Sequence, residues 1–157
     1  MVQLITDRSQ YHVDLLKRLS QKSWDDMTAY EQKVWYGEAA KGAYNYTDLN
    51  RVETAVAELA ELMELTLTTK TDWVLWDIPV ESDMERYLNN VATIRSYCKV
   101  LGIVSNLPTL PRNMNALTLE GANNIEKVLE IAYQYFVETS GVLGNGTLGK
   151  MVLGKEL

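Results

Sequence analysis

The chain contains one cysteine, Cys98, and one histidine, His12. A single cysteine excludes an internal disulfide, so the fold has to hold by packing alone, which suits synthesis in a reducing cytoplasm. A single histidine excludes a two-histidine metal site, and no Cys/His cluster with ligand spacing occurs. Runs of Lys or Arg are missing and the net charge is −6. A nucleic-acid partner calls for a basic face, so none is expected. No stretch approaches the roughly 18 apolar residues of a membrane span. Met1 to Asp7 lacks the basic-then-apolar order of a signal peptide, so membrane insertion is not expected either.

What is present is enough for one packed domain. Of 157 residues, 46% are hydrophobic and 23% charged, so wholesale disorder is not expected. The pattern predicts a mainly α fold, a helical bundle of about five helices with a C-terminal glycine-rich β-hairpin arm. The domain limits are 1–136 for the helical body and 137–157 for the arm. A first helix is expected from Thr6 or Asp7 through Leu15, Leu16 and Leu19 to about Lys22. Thr28-Ala29-Tyr30-Glu31 is a capping box that opens a short second helix. Leu49, Val52, Val56, Leu59 and Met63 recur at alternating spacings of three and four, one stripe of a third helix. Met84, Tyr87, Val91, Ile94, Cys98 and Leu101 form a fourth stripe behind the box Ser82-Asp83-Met84-Glu85, with Gly102 as its stop. A last helix runs from about Thr118 or Glu120 to Phe136 with Ile125, Val128, Leu129 and Ala132 inward. Between helices, Leu65–Lys70 reads as extended chain and Ser105–Asn115, with Pro108 and Pro111, as a loop.

The tail differs in kind, since five of the nine glycines lie after Phe136. Asn145-Gly146 suits a type I′ turn, because both positions accept positive φ. The expected hairpin places Val137, Val142, Leu143, Leu148, Met151, Val152 and Leu153 as partner contacts, since a lone hairpin is marginal in water and has to pack on something.

Chemical motifs are weak. Gly144-Asn145-Gly146-Thr147-Leu148-Gly149-Lys150 has the letters of a phosphate loop, but Met151 stands where Ser or Thr would touch magnesium, and a hairpin turn is the default. His12 reads as a surface or helix-flank residue, and Cys98, on an apolar stripe, as a small buried hydrophobe. Asp25-Asp26 look like caps, and Glu58 with Glu61 like a solvated face. Glu53 also falls off the stripe of its helix. Asp72 with Asp77 pair only on paper, so no catalytic residue, cofactor site or metal ligand is assigned. Trp24, Trp35, Trp73 and Trp76 read mainly as core pieces, with Trp73 and Trp76 as a possible ligand platform.

Several stretches carry a resemblance. They are Leu4–Arg8, Lys41–Glu53, Leu67–Trp73, Leu107–Pro111 and Gly121–Lys127, which together reach across most of the helical part. In these stretches the chain resembles a family of small tail- or baseplate-associated structural proteins of phages and prophages of Gram-positive bacteria. The resemblance implies a virion or tail-like-particle component without catalysis, made in the host bacterial cytoplasm. Its partners would be copies of itself or other tail, baseplate or fibre proteins, not a small molecule, and it supplies no catalytic residues. The expected function is a structural or adaptor protein that docks through its arm. The alternatives are a carbohydrate- or receptor-binding module using Trp73 and Trp76, and a hydrolase with dispersed carboxylates.

Overall fold

The computed structural model describes residues 2–36, 40–103 and 106–143, with side chains as far as Phe136. The helices are α1 (Gln10–Leu19), α2 (Ala29–Trp35), α3 (Tyr46–Leu62), α4 (Glu81–Val100) and α5 (Leu119–Leu143), with a 3-10 turn at Trp24–Asp26 before α2. No strand occurs among the described residues.

Helices α3, α4 and α5 form the main body. Their stripes meet in one core in which Val52, Leu59, Val91, Ile94, Ile125 and Leu129 are fully buried. Each such side chain contributes roughly 1.5–3 kcal/mol on leaving water. Contacts fix the helix directions. Arg51 of α3 meets Glu126 of α5, and further along both helices Ala55 and Glu58 meet Tyr133. Met84 near the start of α4 lines a cleft with Leu117, just before α5, while Tyr97 and Phe136 meet near their ends, ring centroids 6.3 Å apart. On the α3 side, Met84 shares that cleft with Tyr46 and Leu49, and Arg86 pairs with Glu53. The three helices therefore run parallel, and their N-termini gather at one end.

Parallel neighbours need the chain to return between them, and extended segments do this. Polar side chains on the helices hold the backbone of each return. Asn50 accepts from the Trp73 N–H at 2.7 Å and donates to the Trp73 carbonyl at 2.8 Å. Glu53 accepts from the Lys70 N–H, and Arg86 and Asn90 donate to the Thr68 carbonyl. In the second return, Arg95 donates to the carbonyls of Leu107 and Pro108, and Asn124 to that of Thr109. These bonds satisfy backbone groups that have no sheet partner.

Helices α1 and α2 make a smaller unit around Leu15, Leu19, Met27 and Val34. The capping box at α2 is formed as expected: Glu31 accepts from the Thr28 N–H and Thr28 Oγ1 from the Glu31 N–H. The first helix starts later than expected, at Gln10, because residues 2–9 are held in extended form by other elements. His12 caps it by accepting the Ser9 N–H at 3.1 Å. Gly42 marks the join between this unit and the chain entering α3. A Cβ there would lie 2.2 Å from the His12 carbonyl oxygen and 2.8 Å from the Val13 nitrogen, both backbone atoms.

Two further expectations need correction. Helix α4 starts at Glu81, and Asp83, not Ser82 with Glu85, makes its cap by accepting the Val80 N–H. Its stop is as expected: Gly102 has φ 65°, and the Ile103 N–H donates to the Cys98 carbonyl. Helix α5 continues past Phe136 to Leu143, so the first strand of the expected hairpin, with Val137, Val142 and Leu143, is helical. One glycine, Gly141, weakens a helix by only about 1 kcal/mol, too little to end a long one. The Asn145-Gly146 turn and Leu148, Met151, Val152 and Leu153 lie outside the described residues.

Candidate functional site

The buried charged side chains of the described residues are all ion-paired. Arg8, Asp48 and Glu126 are buried, and with Arg51 they form a cluster of two positive and two negative charges. Arg8 donates to Asp48 at 2.6 Å and to Glu126 at 2.5 Å. Arg51 donates to both Glu126 oxygens, at 2.8 and 2.7 Å, and to Asp48. Burial works to lower the pKa of both arginines, but Glu126 and Asp48 outweigh it and hold them above the ordinary value. Each carboxylate is thus matched by guanidinium donors, leaving no free acid or base. Glu126 also accepts the Ile5 N–H, and Asn123 brackets the Arg8 backbone by accepting its N–H and donating to its carbonyl, both at 2.9 Å. The cluster ties the N-terminal segment across α3 and α5.

Asp25, Asp26, Glu61 and Asp72 are exposed, whereas several other candidates are buried or bonded. Tyr44 and Tyr87 share a hydroxyl–hydroxyl hydrogen bond, and burial above all raises both phenols. Cys98 is buried, which pushes its thiol up and away from nucleophilic use. Glu53, expected on the outside of α3, is 1% exposed and accepts a fork of two bonds from Arg86, at 2.6 and 2.7 Å. Glu58, read as solvated, accepts the Tyr133 hydroxyl. Among the described residues no group of three or more His, Cys, Asp or Glu is placed to hold a metal ion. No helix among them is long and apolar enough to cross a membrane.

The surface is more informative. Trp73 and Trp76, expected together, face opposite ways: Trp73 is 3% exposed and Trp76 85%. Trp73 therefore cannot serve as a platform. Its ring lies under the Lys70 ammonium, 3.8 Å from the centroid. Trp24 and Trp35, read as core, are each a little under half exposed, and Trp24 packs edge-to-face on Tyr36. Trp76 belongs to a loop that sequence reasoning passed over. Val74, Leu75, Trp76, Ile78 and Val80 are all at least half exposed, and Ile78 reaches 88%. The loop is nonetheless tightly built. The Asp77 N–H donates to the Val74 carbonyl at 3.0 Å, and the Asp77 carboxylate accepts the Val74 N–H and the Lys70 ammonium, both at 3.1 Å. The Val74 N–H first, and then Lys70, lower the Asp77 pKa.

Beside the loop lies a cleft of about 460 Å³, lined by Tyr44, Tyr46, Leu49, Leu75, Met84 and Leu117 among others. It sits where the three bundle helices begin. The signal available in the sequence was the density of apolar residues in Val74-Leu75-Trp76-Asp77-Ile78-Pro79-Val80, too many for a solvated linker and with no helical spacing. No family model matches the chain, and comparison with curated proteins and with solved structures gives no match.

Proposed function

We propose that this chain is a non-enzymatic structural or adaptor protein of a phage tail, baseplate or phage-derived tail-like particle, assembling with copies of itself or with neighbouring tail proteins. One observation carries the docking role. An ordered loop holds five large apolar side chains, Val74, Leu75, Trp76, Ile78 and Val80, out in water. Exposed apolar residues on a rigid support mark an interaction surface, and a central tryptophan is a common anchor. The assignment to a phage particle is supported by the resemblance of Leu4–Arg8, Lys41–Glu53 and the other stretches named above. Those stretches contribute the buried charge cluster and the held returns, so the resemblance speaks for a shared frame. In this reading the protein is made in the host cytoplasm and ends in the particle, and the residues after Leu143 act as the assembly arm.

Sedimentation of the full chain over a wide concentration range tests it. The expected result is a defined or growing assembly, reduced to monomers by Trp76→Ser with Ile78→Ser. A chain that stays monomeric throughout contradicts self-assembly. The exposure of Trp76 also favours a second reading, a sugar- or receptor-binding tip, with Trp76 stacking on a host wall glycan. Quenching of tryptophan emission by such a glycan, lost in Trp76→Ser, would establish it.

A further inference from the structure

The cleft and the C-terminal end of α5, from which the arm leaves, lie at opposite ends of that helix. The cleft is built where α3, α4 and α5 begin, with Leu117 two residues ahead of α5. The arm starts at Gly144, after the last turn of α5. Helix α5 has 25 residues, so these ends are about 37 Å apart at 1.5 Å per residue. From Leu143, a fully extended chain covers at most about 18 Å to Leu148 and about 36 Å to Leu153. Even stretched straight back along the helix, Leu148 falls well short of its own cleft, so the whole of residues 148–153 cannot seat there. A second copy has no such limit.

The chemistry of arm and cleft also matches. The arm carries Met151, Val152 and Leu153 between Lys150 and Lys155, with Leu148 just ahead of Lys150 and Glu156 its one acidic side chain. The loop and the first turns of α4 beside the cleft carry Asp77, Glu81, Asp83 and Glu85, against Lys70, which pairs with Asp77, and Arg112 on the adjoining surface. A short apolar segment flanked by lysines thus matches in chemistry an apolar cleft whose border has more acidic than basic side chains, in a chain that is otherwise acidic.

We infer that residues 148–153 of one copy seat in the cleft and on the Trp76 loop of the next, joining copies head to tail. Donor and acceptor are different surfaces, so the contact is heterologous and builds an open chain or a ring. This rests on the assembly reading above and names its interface.

Two variants separate the surfaces. Trp76→Ser with Ile78→Ser removes the acceptor, and Met151→Asp with Leu153→Asp removes the donor. Circular dichroism checks that both remain folded. Wild-type protein is expected to grow in mass with concentration, and each variant alone to be monomeric. Mixed together, they are expected to form a one-to-one dimer, because one intact donor meets one intact acceptor. A mixture that stays monomeric overturns the head-to-tail pairing, as does a donor variant that assembles like wild type. Both results leave assembly itself standing. Wild-type protein that never assembles overturns the assembly reading and the pairing together.

Discussion

The N-terminal segment, residues 2–9, and the loop, residues 74–80, are both irregular chain laid against the same bundle, and both are fixed by side-chain bonds to their backbone. Glu126 and Asn123 hold the first, and Asp77 holds the second. They differ in where their side chains go. Residues 2–9 turn Val2, Leu4 and Arg8 inward, whereas the loop turns Trp76 and Ile78 out. Hydrogen bonding gives order to both, and apolar burial tells them apart. The inward segment belongs to the fold, and in the proposed function the outward apolar groups of the loop await a partner.

Breaking the inward segment is expected to have the largest effect. Glu126→Gln leaves Arg8 and Arg51 buried with too little negative charge, at a cost of about 3 kcal/mol in urea unfolding. Unfolding unchanged to within about 0.5 kcal/mol would mean that the cluster does not anchor the fold. Gly42→Ala comes next, since its methyl group meets the backbone of His12 and Val13 and neither can move alone. A loss near 3 kcal/mol is expected, with α1 and α2 separating from the bundle, as faster amide exchange in Gln10–Leu19 would show. The loop is expected to respond least in stability but visibly in order. The folded-state pKa of Asp77 lies below its ordinary 3.8, so its contribution is present above that pH and is lost as pH falls through the lowered value. Near-ultraviolet circular dichroism from the Trp73–Trp76 turn should weaken over that acid range. In Asp77→Asn it should be weak already at neutral pH, and an unaltered spectrum would show that Asp77 does not order the loop.

The parts legible in the sequence were those with a local cause. The stripe of α3, that of α4 apart from the exposed Leu101 past its end, and the box at Thr28 were read correctly, because periodicity and capping are written within a few residues. The helix directions were not legible, since long linkers allow either sense and only the side-chain bonds to each return decide it. The charge cluster joins Arg8, Asp48, Arg51 and Glu126, from segments up to 118 residues apart, and no local pattern announces that. Glu53 fell off the apolar stripe by spacing, yet it is buried because Arg86 on the next helix accompanies it. Trp73 and Trp76 looked equivalent for a similar reason. Asn50 draws the Trp73 backbone in, and three residues later the Asp77 turn points Trp76 outward. The candidate site was half legible: Trp76 was named, while Ile78 and its apolar neighbours were not.

The central claim is that the loop is an interface built on a fold that does not need it. Hydrogen–deuterium exchange of the full chain, dilute and then concentrated enough to assemble, tests this directly. The account predicts that assembly slows exchange at residues 74–80 and in the arm, and leaves Gln10–Leu19 unchanged. Slowing confined to the α1–α2 unit, or spread evenly over the chain, would contradict it.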